Sequence, residues 1–357
     1  MNKFLLLPTI LWLFAACSTD DPVPSPPEEV QSTAVYILNS GNFGSNDATI
    51  DLYDTETKAL QTNLFAINGR GLGDTGQHLL VFGAKIYITV SGSSTIEITD
   101  LTGKSLKQLD VKNNVGDPRM PRFLTHHDNK VYVTLFDGYV ARIDTSALTI
   151  EQEVKVGDNP EQLVAAGNKL YVANSGGLNF PNYGKTVSVI ELNSFAVVKT
   201  LDVESNPQYL TVNSSGSTVY LISSGDYSTG SNILQRINTS TDAVVRIEGF
   251  NASWMSMGAD DQLYIIATEY DELFNMTAKY LVYNTKSETL AGDFITDGTD
   301  IKNPYHISAD KVNGTVYIGS SDYVSRGDIY VFSAEGKLLN RFGVSGINPE
   351  GVFFNEQ

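Results

Sequence analysis

The sequence predicts an all-β protein: a seven-bladed β-propeller of four-stranded blades, the first blade closed by the C-terminal strand. Three observations predict it. An aliphatic–tyrosine–aliphatic triplet recurs seven times, at Val35-Tyr36-Ile37, Ile86-Tyr87-Ile88, Val131-Tyr132-Val133, Leu170-Tyr171-Val172, Val219-Tyr220-Leu221, Leu263-Tyr264-Ile265 and Val316-Tyr317-Ile318, with tyrosines 39 to 53 residues apart. A period of that size marks a repeat architecture, and 40–50 residues is the length of a four-stranded blade. Between the triplets the apolar residues alternate with period two and turn residues are frequent, so no long amphipathic helix competes. Finally, the two ends of the repeat region are complementary, as set out below.

In chain order, Met1-Asn2-Lys3 carries one positive charge and Phe4 to Ala16 is an apolar run. The run is too short to span a bilayer, which takes about 20 residues, but suits a signal-peptide core. It ends in Leu13-Phe14-Ala15-Ala16-Cys17, which resembles the bacterial lipobox, with Phe14 where Leu is usual. Residues 1–16 are expected to be a lipoprotein signal peptide and Cys17 the lipidated N-terminus. The alternative is ordinary secretory cleavage with an incidental thiol. Three acyl chains would anchor stably. Ser18-Thr19-Asp20-Asp21 follows; acidic residues there resemble the surface-export signal of Bacteroidetes lipoproteins, the alternative being a solvated linker. Pro22, Pro24, Pro26 and Pro27 make residues 17–33 a stiff tether. The propeller is expected over 34–357.

The fourth unit shows the plan: strands over Gln162–Ala166, Lys169–Asn174, Thr186–Leu192 and Val197–Val203. Third strands elsewhere fall at Ile50–Leu52, Thr95–Ile98, Val140–Ile143, Ile233–Ile237, Tyr280–Tyr283 and Ile329–Phe332. The chain finishes Asn348-Pro349-Glu350-Gly351-Val352-Phe353-Phe354. This matches the junctions Asn159-Pro160-Glu161, Asn206-Pro207-Gln208 and Asn303-Pro304-Tyr305, each of which opens a first strand. Yet the N-terminal end begins directly at a second strand, Ala34 to Leu38. The last strand therefore supplies the first strand that blade one lacks, and pairing the two ends removes free edges.

The two faces differ. Connections between third and fourth strands are tight turns such as Asp54-Thr55-Glu56-Thr57, Asp144-Thr145-Ser146-Ala147, Asn238-Thr239-Ser240-Thr241 and Asn284-Thr285-Lys286-Ser287, where Asp or Asn bonds its own backbone. The opposite face receives longer loops, and long loops on a rigid scaffold carry function. They hold Phe43, Phe136, Tyr139, Phe180, Tyr183, Tyr227, Tyr270, Phe274 and Tyr323. At or near the starts of first strands stand Arg122, Phe123, Gln208, Tyr209, Trp254, Tyr305 and His306, with Asn182, Arg119 and Arg326 adding polar groups. The expected ligand-binding residues are Phe43, Arg119, Arg122, Tyr139, Phe180, Asn182, Tyr183, Gln208, Tyr209, Tyr227, Trp254, Tyr270, Tyr305, His306 and Tyr323. A concave rim of rings with a few fixed polar groups fits a large, flat, partly apolar ligand. The alternative is that each ring folds back onto its own blade.

Other function classes find little support. Acidic residues outnumber basic ones 41 to 24, a formal charge of −17, which repels phosphates and argues against nucleic acid. One cysteine excludes an internal disulfide and a Cys-based zinc site. His78 and His306 fall near the channel mouth, but blade one lies between them and no third ligand is indicated, so no metal is expected. His126-His127 lies beside a turn. Glu161 and Glu350 are candidate mouth carboxylates without an evident acid/base pairing. Gly69 to Gly76 lacks the Lys-Ser/Thr ending of a phosphate loop and reads as a connection. No catalytic group and no cofactor is expected; the chain reads as a binding protein, not an enzyme.

With its strand-tyrosine-strand cores and Asn-Pro junctions, such as Asn159-Pro160-Glu161-Gln162-Leu163 and Asn206-Pro207-Gln208-Tyr209-Leu210, the chain resembles the YncE-like seven-bladed propellers over Ala34 to Phe354. Adding Cys17 and the acidic residues after it, it looks like the Bacteroidetes surface lipoproteins of that fold, of the cobalamin-capturing BtuG type. That resemblance implies a cell-surface lipoprotein of the outer membrane. It would bind cobalamin or a related corrinoid and deliver it to a TonB-dependent transporter, with His306 or His78 the candidate cobalt ligand. The alternatives are a glycan- or protein-binding propeller using the same rim, or a metal-dependent lactonase- or lyase-like enzyme.

Overall fold

Each of the seven triplets lies in the second strand of a blade: Ala34–Asn39, Lys85–Val90, Lys130–Leu135, Lys169–Asn174, Thr218–Ser223, Gln262–Tyr270 and Val316–Ser320. The structure, a computed structural model, describes residues 34–226, 232–249, 251–272 and 276–356. The expected signal peptide, Cys17 and the tether lie outside the described residues. Seven antiparallel sheets follow one another, blades one to seven in chain order. Their innermost strands are Pro349–Phe353 in blade one, then Gly76–Phe82, Pro121–His127, Pro160–Ala166, Pro207–Val212, Trp254–Met257 and Pro304–Ala309. Each inner strand touches the next, and that of blade one touches that of blade two, so the ring is closed.

Closure uses the C-terminal strand as expected. Phe353, Val352 and Gly351 pair with Tyr36, Ile37 and Leu38. The end of the chain then does something the sequence did not suggest. Asn355–Glu356 adds a short parallel strand to blade two, opposite Val81 and Phe82. A second departure is in blade one, whose outer strand is only Leu60–Gln61 and is followed by a 3-10 helix, Leu64–Asn68. Leu64 and Phe65 of that helix are buried in the same apolar cluster as Leu79 and Val81 of blade two.

The core is not one mass but seven apolar clusters, each shared by two neighbouring blades. The repeated tyrosine is central to every one. Tyr36 packs against blade two, Tyr87 against blade three, and so on to Tyr317, which packs against Val35 and Ile37 of blade one. All seven tyrosines are buried, and burial pushes the hydroxyls of Tyr36, Tyr87 and Tyr171 up to about 12. The Tyr36 hydroxyl donates to Leu101 O at 2.9 Å and that of Tyr171 to Thr239 O at 3.4 Å, each beside the outer turn of the next blade. Tyrosine fills the space between blades, and at Tyr36 and Tyr171 its tip also finds a polar partner, whereas the buried Tyr87 hydroxyl has none among the described residues.

Local chemistry sets the turns. Asp54 Oδ1 accepts from the backbone N–H groups of Glu56 and Thr57, and Asp144 Oδ1 from those of Ser146 and Ala147. The Ala147 N–H and the Lys130 ammonium hold the Asp144 carboxyl down at about 2. The junction asparagines Asn159, Asn206, Asn303 and Asn348 all have left-handed φ, between 47° and 60°, a region asparagine tolerates better than most residues. That is why Asn-Pro recurs there.

One turn carries a sharp constraint. Gly336 has φ +75°, and a Cβ there would lie 1.7 Å from Phe294 O, backbone that cannot yield. Gly298 has φ +78° but open space around it. Gly336→Ala is therefore expected to cost about 2–3 kcal/mol and Gly298→Ala only about 1 kcal/mol. Urea unfolding of the two variants measures the difference, and equal costs would contradict it.

Candidate ligand-binding face

All inner strands start at one face, so the fourth-to-first and second-to-third connections gather there. On that face some of the expected rings point outward and others do not. Phe43 is 80% exposed, Phe180 72%, Tyr270 63% and Tyr323 62%. The neighbouring aliphatics Val115, Leu178 and Val324 are as exposed. Large apolar side chains standing in water at several loop tips of one face mark an interaction surface. Asn182 is exposed beside Phe180. By contrast Tyr183 is half-buried with its ring edge-on to Phe180, centroids 6.1 Å apart. Tyr139 is half-buried beneath the Arg119 guanidinium, 5.0 Å from its ring. Tyr227, like Phe274, lies outside the described residues.

Arg119 is buried and serves the scaffold. Its Nε donates to Asp137 and its second nitrogen to Glu153, both at 2.7 Å. It ties the connection into blade three to a loop and an outer strand of that blade.

Inside the ring of loops is the channel mouth. The inner strands open with a register shift, at Gly76/His78, Pro121/Leu124, Pro160/Leu163, Pro207/Tyr209 and Pro304/His306. A bulge re-aims a side chain, and here the residues after the junction join hands from blade to blade. The Tyr305 hydroxyl donates to Glu350 at 3.2 Å and the Gln77 amide to Glu350 at 3.5 Å. Arg122 donates to the Gln77 carbonyl and, through two nitrogens, to Glu161 at 2.8 and 3.1 Å. The Arg122 guanidinium also lies 5.0 Å over Phe136. This chain of polar groups runs through blades seven, one, two, three and four. Gln208, which donates to Asn206 at 3.1 Å, and Trp254 stand at the same level on blades five and six.

Below the mouth is a channel of about 360 Å³, lined near the top by Gln77, Glu350, His306, Tyr209 and Trp254 and deeper by a mixture of polar and apolar side chains such as Thr125, Thr211, Ser256, Val164 and Met255. A macrocycle does not fit such a channel; it would lie across the mouth. Among the described residues no group of three or more His, Cys, Asp or Glu is arranged to hold a metal. The His78 ring meets Phe353 edge-on at 5.0 Å, while the His306 ring lies on the other side of blade one, beside Gly351.

Two mouth groups have displaced acidities. Glu350 and His306 each keep some surface in the channel but have protein packed on all sides. Burial pushes the Glu350 carboxyl up to about 7 and the His306 imidazole down to about 4. Between pH 4.5 and 7 the folded protein holds a proton on Glu350 that the unfolded chain has released. Its contribution to stability is full below pH 4.5 and is lost as pH rises through 7. His306 acts oppositely: its contribution is present above 6.5 and is lost as pH falls through 4. Glu350→Gln is therefore expected to be about 2 kcal/mol more stable than the parent at pH 8 and nearly equal to it at pH 4.5. Denaturant titration at the two pH values checks this; a variant that loses stability at pH 8 contradicts it.

Arg122, Gln208, Tyr209, Trp254, Tyr305 and His306, expected at or near the starts of first strands, stand at the mouth, and Gln77, Glu161 and Glu350, which were not among the expected ligand contacts, stand there too. The signal was available: each follows the glycine or proline that opens an inner strand. The exposed aliphatics Val115, Leu178 and Val324 carried no signal that distinguishes them from core residues.

The family model described as "Domain of unknown function (DUF5074)" matches residues 33–307. Among solved structures, Kuenenia stuttgartiensis hydrazine synthase is similar, with a TM-score of 0.63 and 16% sequence identity, over 77% of this chain and 88% of that one. At that identity the likeness is one of fold. No curated protein matches the chain.

Proposed function

The chain belongs to the DUF5074 family, and from that footing we propose that it is a binding protein, not an enzyme, whose loop-rich face captures a large, partly apolar ligand. One observation carries this: exposed rings from several blades surround a polar mouth on one side of a rigid closed ring. The ligand that suits it best is cobalamin or a related corrinoid. Phe43, Phe180, Tyr270 and Tyr323 would cover the macrocycle, while Asn182, Gln208 and the mouth polar groups would meet its amide side chains. Apolar burial and stacking would supply most of the affinity. The lipobox-like N-terminus and the resemblance to corrinoid-capturing propellers support a surface lipoprotein of the outer membrane, anchored through Cys17 and passing its ligand to a TonB-dependent transporter.

Purified protein mixed with cyanocobalamin is expected to stay red through a desalting column; colourless protein removes the corrinoid reading. The combined change Phe180→Ser, Tyr270→Ser, Tyr323→Ser is expected to weaken binding about 100-fold, at roughly 1 kcal/mol per ring. Its melting temperature should be unchanged, because all three side chains are exposed. Undiminished affinity in equilibrium dialysis would place the ligand elsewhere.

A second reading, a protein partner on the same face, is favoured by Val115, Leu178 and Val324. Exposed aliphatics suit a protein interface better than a glycan, which stacks on rings.

A further inference from the structure

Among the described residues two carboxylates, Glu161 and Glu350, stand at the channel mouth, and one of them has a cation of its own. Glu161 receives two N–H groups of Arg122, at 2.8 and 3.1 Å. Among the described residues Glu350 receives neutral donors at long range, the Tyr305 hydroxyl at 3.2 Å and the Gln77 amide at 3.5 Å. Arg122 acts on Glu350 through space, but its hydrogens are directed to Glu161 and Gln77. The neighbouring His306, held neutral above about pH 4, offers no charge either. A carboxylate enclosed without a counter-ion is unusual, since burying an unpaired charge is costly.

The surroundings of Glu350 are aromatic. Tyr305 donates to it and meets Tyr323 edge-on, ring centroids 5.7 Å apart. Tyr323 and Tyr209 are both near enough to raise the Tyr305 hydroxyl, after burial and Glu350 itself. Tyr209 and Trp254 line the same channel as Glu350 and His306. An anion beside tyrosine and tryptophan faces is the composition that attracts an organic cation. Beneath it the channel is lined by the partly exposed Val164, Ala165 and Met255 interspersed with Thr125, Thr211 and Ser256, with volume for a short alkyl chain.

We propose that the channel mouth binds an alkylammonium ion, its nitrogen on the Glu350 carboxylate beside the rings of Tyr209 and Trp254, its chain directed down the channel. The site lies below the rim and does not depend on what the rim captures. A cation there completes the mouth: it gives Glu350 the partner that Arg122 gives Glu161. Binding releases the proton that Glu350 holds near neutral pH, because only the ionised carboxylate attracts the cation. Among the described residues the other charged or titratable groups facing it are Arg122 and Glu161, already paired with each other, and Tyr305, Tyr323, Tyr209 and His306, while His78, His126 and Lys311 line the same channel.

Isothermal titration calorimetry of the full chain with n-butylammonium chloride, against 1-butanol as the neutral isostere, tests this. Butylammonium is expected to bind at pH 8 with a Kd of about 1 mM or tighter, and butanol at least about tenfold more weakly. With the Glu350 carboxyl at about 7, affinity should fall about tenfold between pH 8 and pH 6. Glu350→Gln, which keeps the shape, should bind at least about tenfold more weakly at pH 8 while its melting temperature does not fall. Butanol binding as tightly as butylammonium, a pH-independent Kd for the unaltered protein, or no heat at about 10 mM butylammonium each overturns the proposal. None of these outcomes bears on cyanocobalamin retention, so the two readings fail separately.

Discussion

Removal of residues 351–357 is expected to lower the melting temperature by at least about 10 °C and to abolish cooperative unfolding of the ring at its weakest junction. Those few residues carry the pairing of blade one with its own inner strand and the parallel strand added to blade two. Val352 is 4% exposed and sits in the cluster that joins blades seven and one, with Phe354 packed against it. Two to three apolar side chains at about 1.5–3 kcal/mol each and several strand hydrogen bonds at about 1 kcal/mol sum to roughly 5–10 kcal/mol. A whole domain is stable by only about 5–15 kcal/mol, so the loss reaches well beyond one blade. Scanning calorimetry of the truncated chain decides the matter, and a melting temperature within about 3 °C of the parent would contradict the closure argument.

Arg122→Ala is expected to cost about 3–5 kcal/mol, more than any other single substitution at the mouth. The Glu161 side chain is 10% exposed and the Arg122 side chain 20%, so truncation leaves an enclosed carboxylate with no cation. It also removes the guanidinium stacked on Phe136 and the donor to Gln77. The desolvated charge, not the missing contact, is the larger part of that cost. The double variant Arg122→Met, Glu161→Gln should therefore recover most of the loss. Chemical denaturation of both variants gives the comparison. If the double variant is no more stable than Arg122→Ala, the mouth network stabilises by packing alone.

The fold was legible because its signals are local and repeated. The tyrosine triplet reports a site between blades that is the same seven times, and Asn-Pro reports a left-handed residue entering an inner strand. The Asp and Asn turns report themselves through bonds two and three residues away. The parallel strand at Asn355–Glu356 had no such signal, being two residues set by where the chain happens to emerge beside blade two. The candidate site was legible in position but not in orientation. Sequence places Tyr139 and Tyr323 alike on loops of one face. Only the fold shows Arg119 covering the first while the second stands in water. Arg119 and Arg122 were expected as polar ligand contacts from their place on the rim and at a first-strand start. Their carboxylate partners, Asp137, Glu153 and Glu161, come from other loops, strands or blades, and such pairings are set by tertiary structure.

That ligand capture belongs to the loop-rich face is tested most directly by hydrogen–deuterium exchange with and without saturating cyanocobalamin. Expected is protection of residues 42–47, 176–185, 304–306 and 322–327, with no change in the four-residue turns at 54–57, 144–147 and 284–287 on the opposite face. Protection confined to those turns, or to the outer strands, would contradict it.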